Sequence, residues 1–213
     1  MTTDDLINSL SDHVAPVSPY VVEQRVVFGM VAGAVVSFVV MVGWIGFRPD
    51  MPDALMSVPF WMKWAYTMSL GVLALAATAH VARPDAPKLR RIWLLGAPVA
   101  ALAAIAFWEL VHTPASGWLS MWVGVSGSEC SVRVAALAVP VFGGLLWSFR
   151  ALAPSNLRGA GAAAGLAAGA FAATVYGFHC PEVAATFVIT WYTLGIATVA
   201  AFGALVGPVA LRW

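Results

Sequence analysis

Six runs of predominantly apolar residues, each about as long as a bilayer is thick, constrain the fold of this chain most strongly. An α-helix needs roughly 20 apolar residues to cross the hydrocarbon core, whereas a strand of a membrane barrel alternates in character and stops at about 10 residues. Run length therefore favours helices. The predicted spans are Val26–Phe47, Val58–Val81, Ile92–Val111, Ser131–Phe149, Gly159–Phe178 and Val183–Gly207.

Composition supports the same class of protein. Hydrophobic residues make up 61% of the chain and charged residues 10%, whereas a soluble domain carries about 25% charged residues. We therefore predict an all-α, polytopic membrane protein, a six-helix bundle over residues 25–213 preceded by a short arm over residues 1–24. Membrane lipid is its expected surrounding. A net charge of +1 without a basic patch argues against direct binding to nucleic acid.

The basic residues predict how the chain is oriented. With an even number of spans both termini share one side, and most basic residues of the loops lie on that side. The positive-inside rule assigns that side to the cytoplasm, so we expect both termini there. The basic residues on the predicted cytoplasmic side are Arg25, Arg83, Lys88, Arg90, Arg91, Arg150, Arg158 and Arg212.

The N-terminal arm begins with a predicted amphipathic helix over residues 1–15. Thr3 can cap this helix, and acidic residues suit its first turn. Its apolar residues share one face. The apolar face consists of Leu6, Ile7, Leu10 and Val14, and the acidic residues of the arm are Asp4, Asp5, Asp12 and Glu23.

Two interpretations of the arm remain open. Because it contains no Lys or Arg, it is unsuited to the anionic inner leaflet, which attracts basic segments. An acidic helix with an apolar stripe fits a groove on a basic protein. The alternative is a frayed polar terminus.

Cys130 and Cys180 are the two cysteines of the chain, and both fall on the predicted outer side. Each is predicted at the start of a helix, and Pro181 is a residue favoured at the first helical position. A helix N-terminus favours the thiolate. The residues that could assist the thiols are His179, Glu182, His112 and Arg133.

Three interpretations of the cysteines remain open. A structural disulfide requires the two Cα atoms within roughly 7 Å, and an oxidising outer compartment favours it. A sensor of soft metal or oxidant needs free or reversibly oxidised thiols, with Cys130 and Cys180 as transient metal ligands. The third interpretation is a pair of inert cysteines at the membrane interface. A structural zinc site is not expected, because neither CxxC nor HxxxH occurs, and no resident cofactor is predicted.

Three ionisable residues lie near the predicted outer boundary. Lys63, Glu109 and Arg133 predict an ion-pair cluster that ties the second, third and fourth spans together. The alternative is a relay for protons or substrate. A relay should continue deeper, and no ionisable residue occupies the predicted membrane centre, so we favour the structural cluster.

Glycines at four-residue spacing mark a surface for close helix packing. Gly161, Gly165 and Gly169 form such a stripe, and small residues let helices approach closely in lipid. The stripe fits either a homodimer face or packing within one bundle. We favour packing within the bundle, and formation of a homodimer stays open.

Several segments, spread over almost the full chain, resemble one family. The chain carries TTDDLINSLSDHVAPV near its start, FRPD after the first span and FWMKWAYT at the start of the second. It also carries CSVR at the start of the fourth span, and HCPE followed by FVITWYTLG near the end. These segments resemble the NrsF-type anti-sigma factors, which are bacterial inner-membrane negative regulators of an extracytoplasmic-function sigma factor.

The resemblance implies a function for both the arm and the cysteines. It implies that the regulator holds its sigma factor at the membrane until a stress such as heavy metal or oxidant acts on two outer cysteines, whose positions match Cys130 and Cys180. It implies a regulator rather than an enzyme. The rival hypothesis is a small metal-handling transporter or an accessory membrane subunit. The residues of the arm that would contact the sigma factor are Asp4, Asp5, Leu6, Ile7 and Leu10.

Overall fold

A computed structural model describes residues 2–11, 18, 20–83, 92–152 and 154–212. The protein is 82% helical, and no strand occurs in these described residues. Short 3₁₀ turns at Ile92–Leu95 and Ala115–Gly117 precede α5 and α6. The helices are α1 (Thr3–Ser11), α2 (Val21–Trp44), α3 (Met51–Leu55), α4 (Val58–Val81), α5 (Gly96–His112), α6 (Trp118–Val123), α7 (Gly127–Phe149), α8 (Leu157–Tyr176) and α9 (Ala185–Ala210).

The prediction of six spans is confirmed. Within the described residues, α2, α4, α5 with its 3₁₀ turn, α7, α8 and α9 are long and apolar enough to cross a membrane. The largest shift is at α2, which begins at Val21 rather than Val26. Polar residues can extend this helix because distant parts of the chain satisfy them: Glu23 pairs with Arg83, just after α4, and Arg25 Nε donates to the carbonyl oxygen of Ser148 in α7 at 3.2 Å.

The central helix of the bundle is α8, and small residues make this position possible. In its most apolar 18-residue stretch 78% of the residues are buried, against 11% in α5. A Cβ on Gly161 would lie 2.1 Å from the carbonyl oxygen of Gly203, and one on Gly165 would lie 2.4 Å from that of Val199. The glycine stripe therefore packs against α9 within the bundle, and the stripe is not free to form a dimer face.

The contact between α2 and α7 likewise depends on glycine at positions where the two backbones approach closely. A Cβ on Gly33 would lie 2.5 Å from the Cα of Val141. Because the two backbones are this close, the Ser37 hydroxyl of α2 can donate to the carbonyl oxygen of Leu137 in α7 at 2.8 Å. Glycine at these positions thus allows both dispersion contacts and a hydrogen bond between the helices.

Replacing Gly144 with valine is expected to destabilise the bundle by about 3 kcal/mol or more. A Cβ at this position would lie 2.2 Å from the carbonyl oxygen of Gly29. Overpacking costs about 1–3 kcal/mol where side chains can adjust, and here the neighbour is backbone. Thermal unfolding in detergent measures the loss.

Gly143→Val is the matched control for this prediction. It adds the same side chain one residue away in α7, where no described atom lies within 4 Å of the added Cβ. If both variants lost the same stability, the cost would come from placing valine in the helix, and the close contact would not be its cause.

The predicted N-terminal helix is present as α1, and its cap differs from the prediction. Thr2, not Thr3, precedes the helix: its hydroxyl accepts from the backbone N of Asp5 at 3.3 Å, and its own N donates to Asp5 Oδ2 at 2.8 Å. This reciprocal pair is a capping box, and the hydrogen bonds from Thr2 lower the pKa of Asp5. Asp12 and Val14 lie outside the described residues.

Candidate functional site

Cys130 and Cys180 lie against each other at one end of the bundle, which we call the thiol end. Cys130 is in the first turn of α7, and Cys180 is in the α8–α9 linker, residues 177–184. Both side chains are fully buried and both are free thiols. They are close enough for one thiol to hydrogen-bond the other.

The prediction that Cys180 starts a helix is wrong. The last helix begins at Ala185, beyond Pro181. Its first amides are capped by a carboxylate from α5, because Glu109 Oε2 accepts from the backbone N of Ala185 at 2.8 Å and of Thr186 at 3.3 Å. The linker that carries Cys180 is therefore a turn over residues 177–179 followed by non-helical backbone over residues 180–184, and the polar groups of that backbone need other partners.

Two buried cations satisfy the carbonyl groups of the linker. The side chain of Lys63 is fully buried, and its Nζ donates to the carbonyl oxygens of Cys180 at 2.9 Å and Glu182 at 2.6 Å. Arg48 Nη1 donates to the same Cys180 carbonyl at 3.2 Å, and its backbone N donates to that of Phe178 at 3.1 Å. The linker is thus clamped from α4 and from the segment after α2.

The two cations differ in how their charge is balanced. Arg48 forms a bidentate pair with Asp50, at 2.7 Å from Nε and 2.6 Å from Nη2. This hydrogen-bonded pair raises the pKa of Arg48 and lowers the pKa of Asp50. Lys63 donates to carbonyl oxygens, which are neutral, and it forms no salt bridge with a carboxylate of the described residues.

Side chains of the linker bind α7 and the segments next to α2 and α7 in return. Glu182 Oε1 accepts from the backbone N of Val125 at 2.6 Å and of Ser126 at 3.1 Å, immediately before α7. Nε2 of His179 lies 3.1 Å from Arg133 Nη1, and its Nδ1 lies 3.0 Å from the carbonyl oxygen of Gly46. Because arginine can only donate, Nε2 accepts, and the ring proton lies on Nδ1.

The predicted ion-pair cluster is wrong. Lys63, Glu109 and Arg133 do not pair with one another; each binds the linker or the start of α9. Arg133 contacts His179 and forms a salt bridge with Glu129 at 2.6 Å. The sequence placed the three residues at the same end of the bundle, but each has another partner there: Lys63 binds carbonyls of the linker, Glu109 binds amides at the start of α9, and Arg133 binds His179 and Glu129.

Of the four residues predicted to assist the thiols, three lie at the thiol end. His179 and Glu182 flank Cys180 in the linker, and Arg133 contacts His179 from α7. His112 is exposed at the end of α5, where its Nδ1 lies 2.8 Å from the carbonyl oxygen of Trp108 and its ring contacts the indole of that residue at a tilt of 34°. His112 therefore contacts its own helix rather than the thiol end.

Sequence reasoning missed three residues beside the thiols. Arg48 is one of them. The feature that could have identified it is its position as an arginine in a loop on the predicted outer side, where basic residues are rare. The others are Tyr176 and Tyr192, whose buried side chains lie beside Cys130 and Cys180, respectively. A π-helical turn at Val188–Tyr192 places Tyr192 near Cys180, and π-helical turns are frequent at functional sites.

The thiol pair can react in two ways. A hydrogen bond from Cys130 and the nearby Lys63 ammonium lower the pKa of Cys180, and they outweigh the opposing effect of burial. A thiolate is the form that attacks oxidants and binds metal. Thiolates prefer soft metal ions, although within the described residues no three His, Cys, Asp or Glu side chains converge as metal ligands. The pair thus offers two sulfur ligands or one disulfide.

The fold and this site define a polytopic, α-helical membrane protein with a buried pair of free thiols and an exposed amphipathic helix at its N-terminus. The chain belongs to the NrsF family, described as negative regulator of sigma F, whose sequence model matches residues 10–213. It is therefore an anti-sigma factor, a regulatory protein that binds a sigma factor. The resemblance noted from the sequence is confirmed.

Two curated relatives match over their full length. The chain is 34% identical over 215 residues to the anti-sigma-F factor NrsF of Caulobacter vibrioides, covering 100% of both chains. It is 37% identical over 216 residues to the probable anti-sigma-F factor NrsF of Azospira oryzae, again covering 100% of both. No solved structure matches this chain.

Proposed function

We propose that the protein holds an extracytoplasmic-function sigma factor at the bacterial inner membrane through its N-terminal arm, and releases it when heavy metal or oxidant reacts with Cys130 and Cys180. The observation that carries this proposal is the meeting of the two cysteines of the chain as buried free thiols. They meet at a linker that several helices bind. A chemical change at the two thiols would therefore alter the contacts between this linker and the helices that bind it.

Either reaction of the thiols changes the distance between α7 and the linker. An oxidant that accepts two electrons converts the two thiols into one disulfide and two protons leave. A soft metal ion instead replaces the two protons and bridges the sulfurs. Both changes move the Cys180 backbone relative to the hydrogen bonds from Lys63 and Arg48.

The free energy needed to release the sigma factor favours a covalent bond or a metal bond at the thiols over a single hydrogen bond. Turning a bound population of 99:1 into 1:99 requires about 5.5 kcal/mol of differential interaction. One hydrogen bond contributes about 1 kcal/mol and could not drive such a change. A sulfur–sulfur or sulfur–metal bond can, and α8 and α9 lead from the linker to the opposite end of the bundle.

The arm is the proposed contact with the sigma factor. Residues 3–10 of α1 are exposed in this structure, including the apolar Leu6, Ile7 and Leu10. Asp4 and Asp5 give the helix a negative charge. A sigma factor binds promoter DNA through basic surfaces, so an acidic amphipathic helix complements it. The positive-inside rule assigns the arm to the cytoplasm, where the partner is.

Serine in place of both Cys130 and Cys180 is expected to abolish release without abolishing binding. The test is a pull-down of purified sigma factor by the detergent-solubilised protein, before and after treatment with Cd²⁺ or diamide. Wild-type protein should lose the sigma factor on treatment, and the double variant should keep it, because serine forms neither a disulfide nor a soft-metal bond.

Single variants and a control complete this experiment. Cys130→Ser and Cys180→Ser should each lose the response if the pair acts as a unit. Ser131→Ala is the control, since Ser131 follows Cys130 but donates to the carbonyl oxygen of Trp191. Release that persists in the double variant would refute the sensing role, and failure of the untreated protein to bind any sigma factor would refute the anti-sigma role of this chain.

A further inference from the structure

The connection between α5 and α7 is uncharged, although it lies outside the two spans at the thiol end. We call residues 113–126 the α6 segment, because they contain α6 and the turns on either side of it. The segment contains no ionisable residue, and His112 precedes it as the last residue of α5. The connection between α2 and α4 at the same end carries Arg48, Asp50 and Asp53. The α6 segment therefore lacks the charged side chains that favour contact with water.

The large apolar side chains of the α6 segment are exposed. Leu119 is 66% exposed and Val125 is 97% exposed, and the exposed fractions of Trp118, Trp122 and Val123 lie between 40% and 47%. An exposed apolar patch marks a site of contact with a protein or a membrane. Tryptophan is enriched where a membrane protein meets the lipid head groups. The composition of this patch therefore favours a lipid surface.

The apolar patch continues the lipid-facing surface of α5. Near its end α5 exposes Phe107, Trp108 and Val111, and only 11% of its most apolar stretch is buried in the bundle. An open groove of about 450 Å³ joins the two surfaces and is lined by Leu110 of α5 and Leu119 of α6. No charged side chain is among the described residues that line this groove. Acyl chains that cover α5 can therefore extend onto α6.

Both indole N–H groups of the α6 segment donate to the protein itself. Trp118 Nε1 donates to the carbonyl oxygens of Leu110 at 3.1 Å and Thr113 at 3.0 Å, at the end of α5. Trp122 Nε1 donates to the hydroxyl of Thr190 at 3.2 Å. Polar groups that enter lipid need such internal partners, because the acyl region offers no water. The two indole groups can therefore leave water without losing a hydrogen bond.

We propose that the α6 segment binds the membrane leaflet at the thiol end, with Leu119 and Val125 among the upper acyl chains. Spans on both sides hold the segment at the membrane boundary, since it follows α5 directly and ends immediately before α7. A protein partner is usually oriented by charged groups, and the segment has none. A leaflet requires only an apolar face with aromatic residues at head-group level.

The bound leaflet would also hold the linker through Glu182. Gly124 has a positive φ of 57°, and a Cβ there would lie 2.6 Å from the Glu182 carboxylate. Glycine thus lets this carboxylate reach the backbone N of Val125. Trp191 Nε1 donates to the carbonyl oxygen of Trp122 at 2.8 Å. The α6 segment is therefore attached to the linker and to the π-helical turn, and its depth in the leaflet affects the position of both.

Spin labels at introduced cysteines test the proposal in lipid nanodiscs. Cys130 and Cys180 are first replaced with serine, so that the label reacts at one position: Leu119→Cys, Val125→Cys or, as the control, Asp53→Cys. Asp53 is exposed in the charged connection at the same end. Labels at 119 and 125 should collide more often with oxygen, which concentrates among acyl chains, than with a water-soluble nickel chelate. Their depth should be about 5–10 Å into the boundary between head groups and acyl chains, and the label at 53 should show the opposite preference.

A photo-crosslinking experiment repeats the test with both native cysteines in place. Benzoylphenylalanine replaces Leu119 or, as the control, Asp53 in the full chain, which is then irradiated in native membranes. The expected product at 119 has the mass of the chain plus one phospholipid, and the control should give no such product. Because the thiol pair is intact, this result does not depend on whether the serine variant folds.

Two results would overturn the proposal. Labels at 119 and 125 that prefer the chelate, like the label at 53, would show that the α6 segment stands in water. A crosslink from 119 to another protein, or to a second copy of this chain, would show that a protein covers the patch instead. Size-exclusion profiles establish that each variant is folded before it is labelled. Either result would leave the anti-sigma function intact, because neither readout involves the sigma factor.

Discussion

The double variant Leu6→Ser and Leu10→Ser is expected to lose the sigma factor, with affinity lowered about 100-fold or more. Both leucines are exposed on α1, at 43% and 64% of their surface. Burying a leucine side chain contributes about 1.5–3 kcal/mol, and 1.4 kcal/mol is a tenfold change in affinity. Losing two such contacts therefore removes most of the binding free energy of so short a helix.

Asn8→Ala is the matched control, because it changes an exposed residue of the same helix outside the apolar face. Asp4→Asn tests the charge separately. It should slow association and reduce the salt dependence of binding, which are the usual effects of a charge at the rim of an interface. Asp5 is unsuitable for this purpose, because it belongs to the capping box with Thr2.

The measurement is the equilibrium affinity of purified sigma factor for each detergent-solubilised variant. Circular dichroism of the whole protein controls for loss of the bundle. If the leucine variant bound the sigma factor as tightly as the wild type, α1 would not be the contact. The loops at the same end of the bundle would then be the surface to test next.

The spans could be predicted from sequence because the bilayer imposes one requirement, a long apolar run, on each of them. Val58–Val81 has the same limits in the sequence and in the structure. The start of α2 could not be predicted as closely. The start of this helix contains Glu23 and Arg25, whose polar groups are satisfied by Arg83 and by the carbonyl oxygen of Ser148, residues that are distant in sequence.

The sequence predicted that the glycine stripe packs against another helix, but it did not identify that helix. Glycine spacing shows that something packs closely against α8. It does not show whether the partner is α9 or a second copy of the chain. That choice depends on the rotation of each helix about its axis, which Gly161 and its contact with Gly203 reveal only in three dimensions.

The candidate site could be predicted in part. Sequence identified Cys130 and Cys180 and placed them at the same membrane depth, but it could not show that they touch. It also assigned Lys63, Glu109 and Arg133 to one another, because it gives the depth of a side chain and not the direction in which it points. The sequence also did not show the true partners of these residues, because the linker carbonyls that bind Lys63 and the first amides of α9 that bind Glu109 come together only in the folded chain.

Lys63 carries a buried positive charge that no carboxylate of the described residues balances. The side chain is 1% exposed, and an ammonium group buried without a partner is costly. Its nearest described acceptors are two backbone carbonyls of the linker, and the Cys180 thiolate is the group whose pKa its charge lowers. We therefore expect Lys63 and ionised Cys180 to act as a pair.

Lys63→Met is expected to raise the pH at which Cys180 becomes reactive by about 1–3 units, which is the usual effect of one nearby opposite charge. Below its pKa Cys180 is a thiol and reacts slowly; above it the thiolate reacts. Removing the ammonium group disfavours the thiolate, so the midpoint moves upward. The hydrogen bond from Cys130 remains, which limits the size of the change.

The midpoint is measured from the rate at which methyl methanethiosulfonate modifies Cys180 between roughly pH 5 and pH 10. This range extends to both sides of the ordinary thiol pKa of about 8.5. Arg48→Met is the matched control. Arg48 donates to the same Cys180 carbonyl at 3.2 Å, but Asp50 balances its charge. Both variants loosen the clamp on the linker, and only Lys63→Met removes an unbalanced charge. Equal shifts in the two variants would show that the clamp, and not the charge of Lys63, controls the reactivity of Cys180.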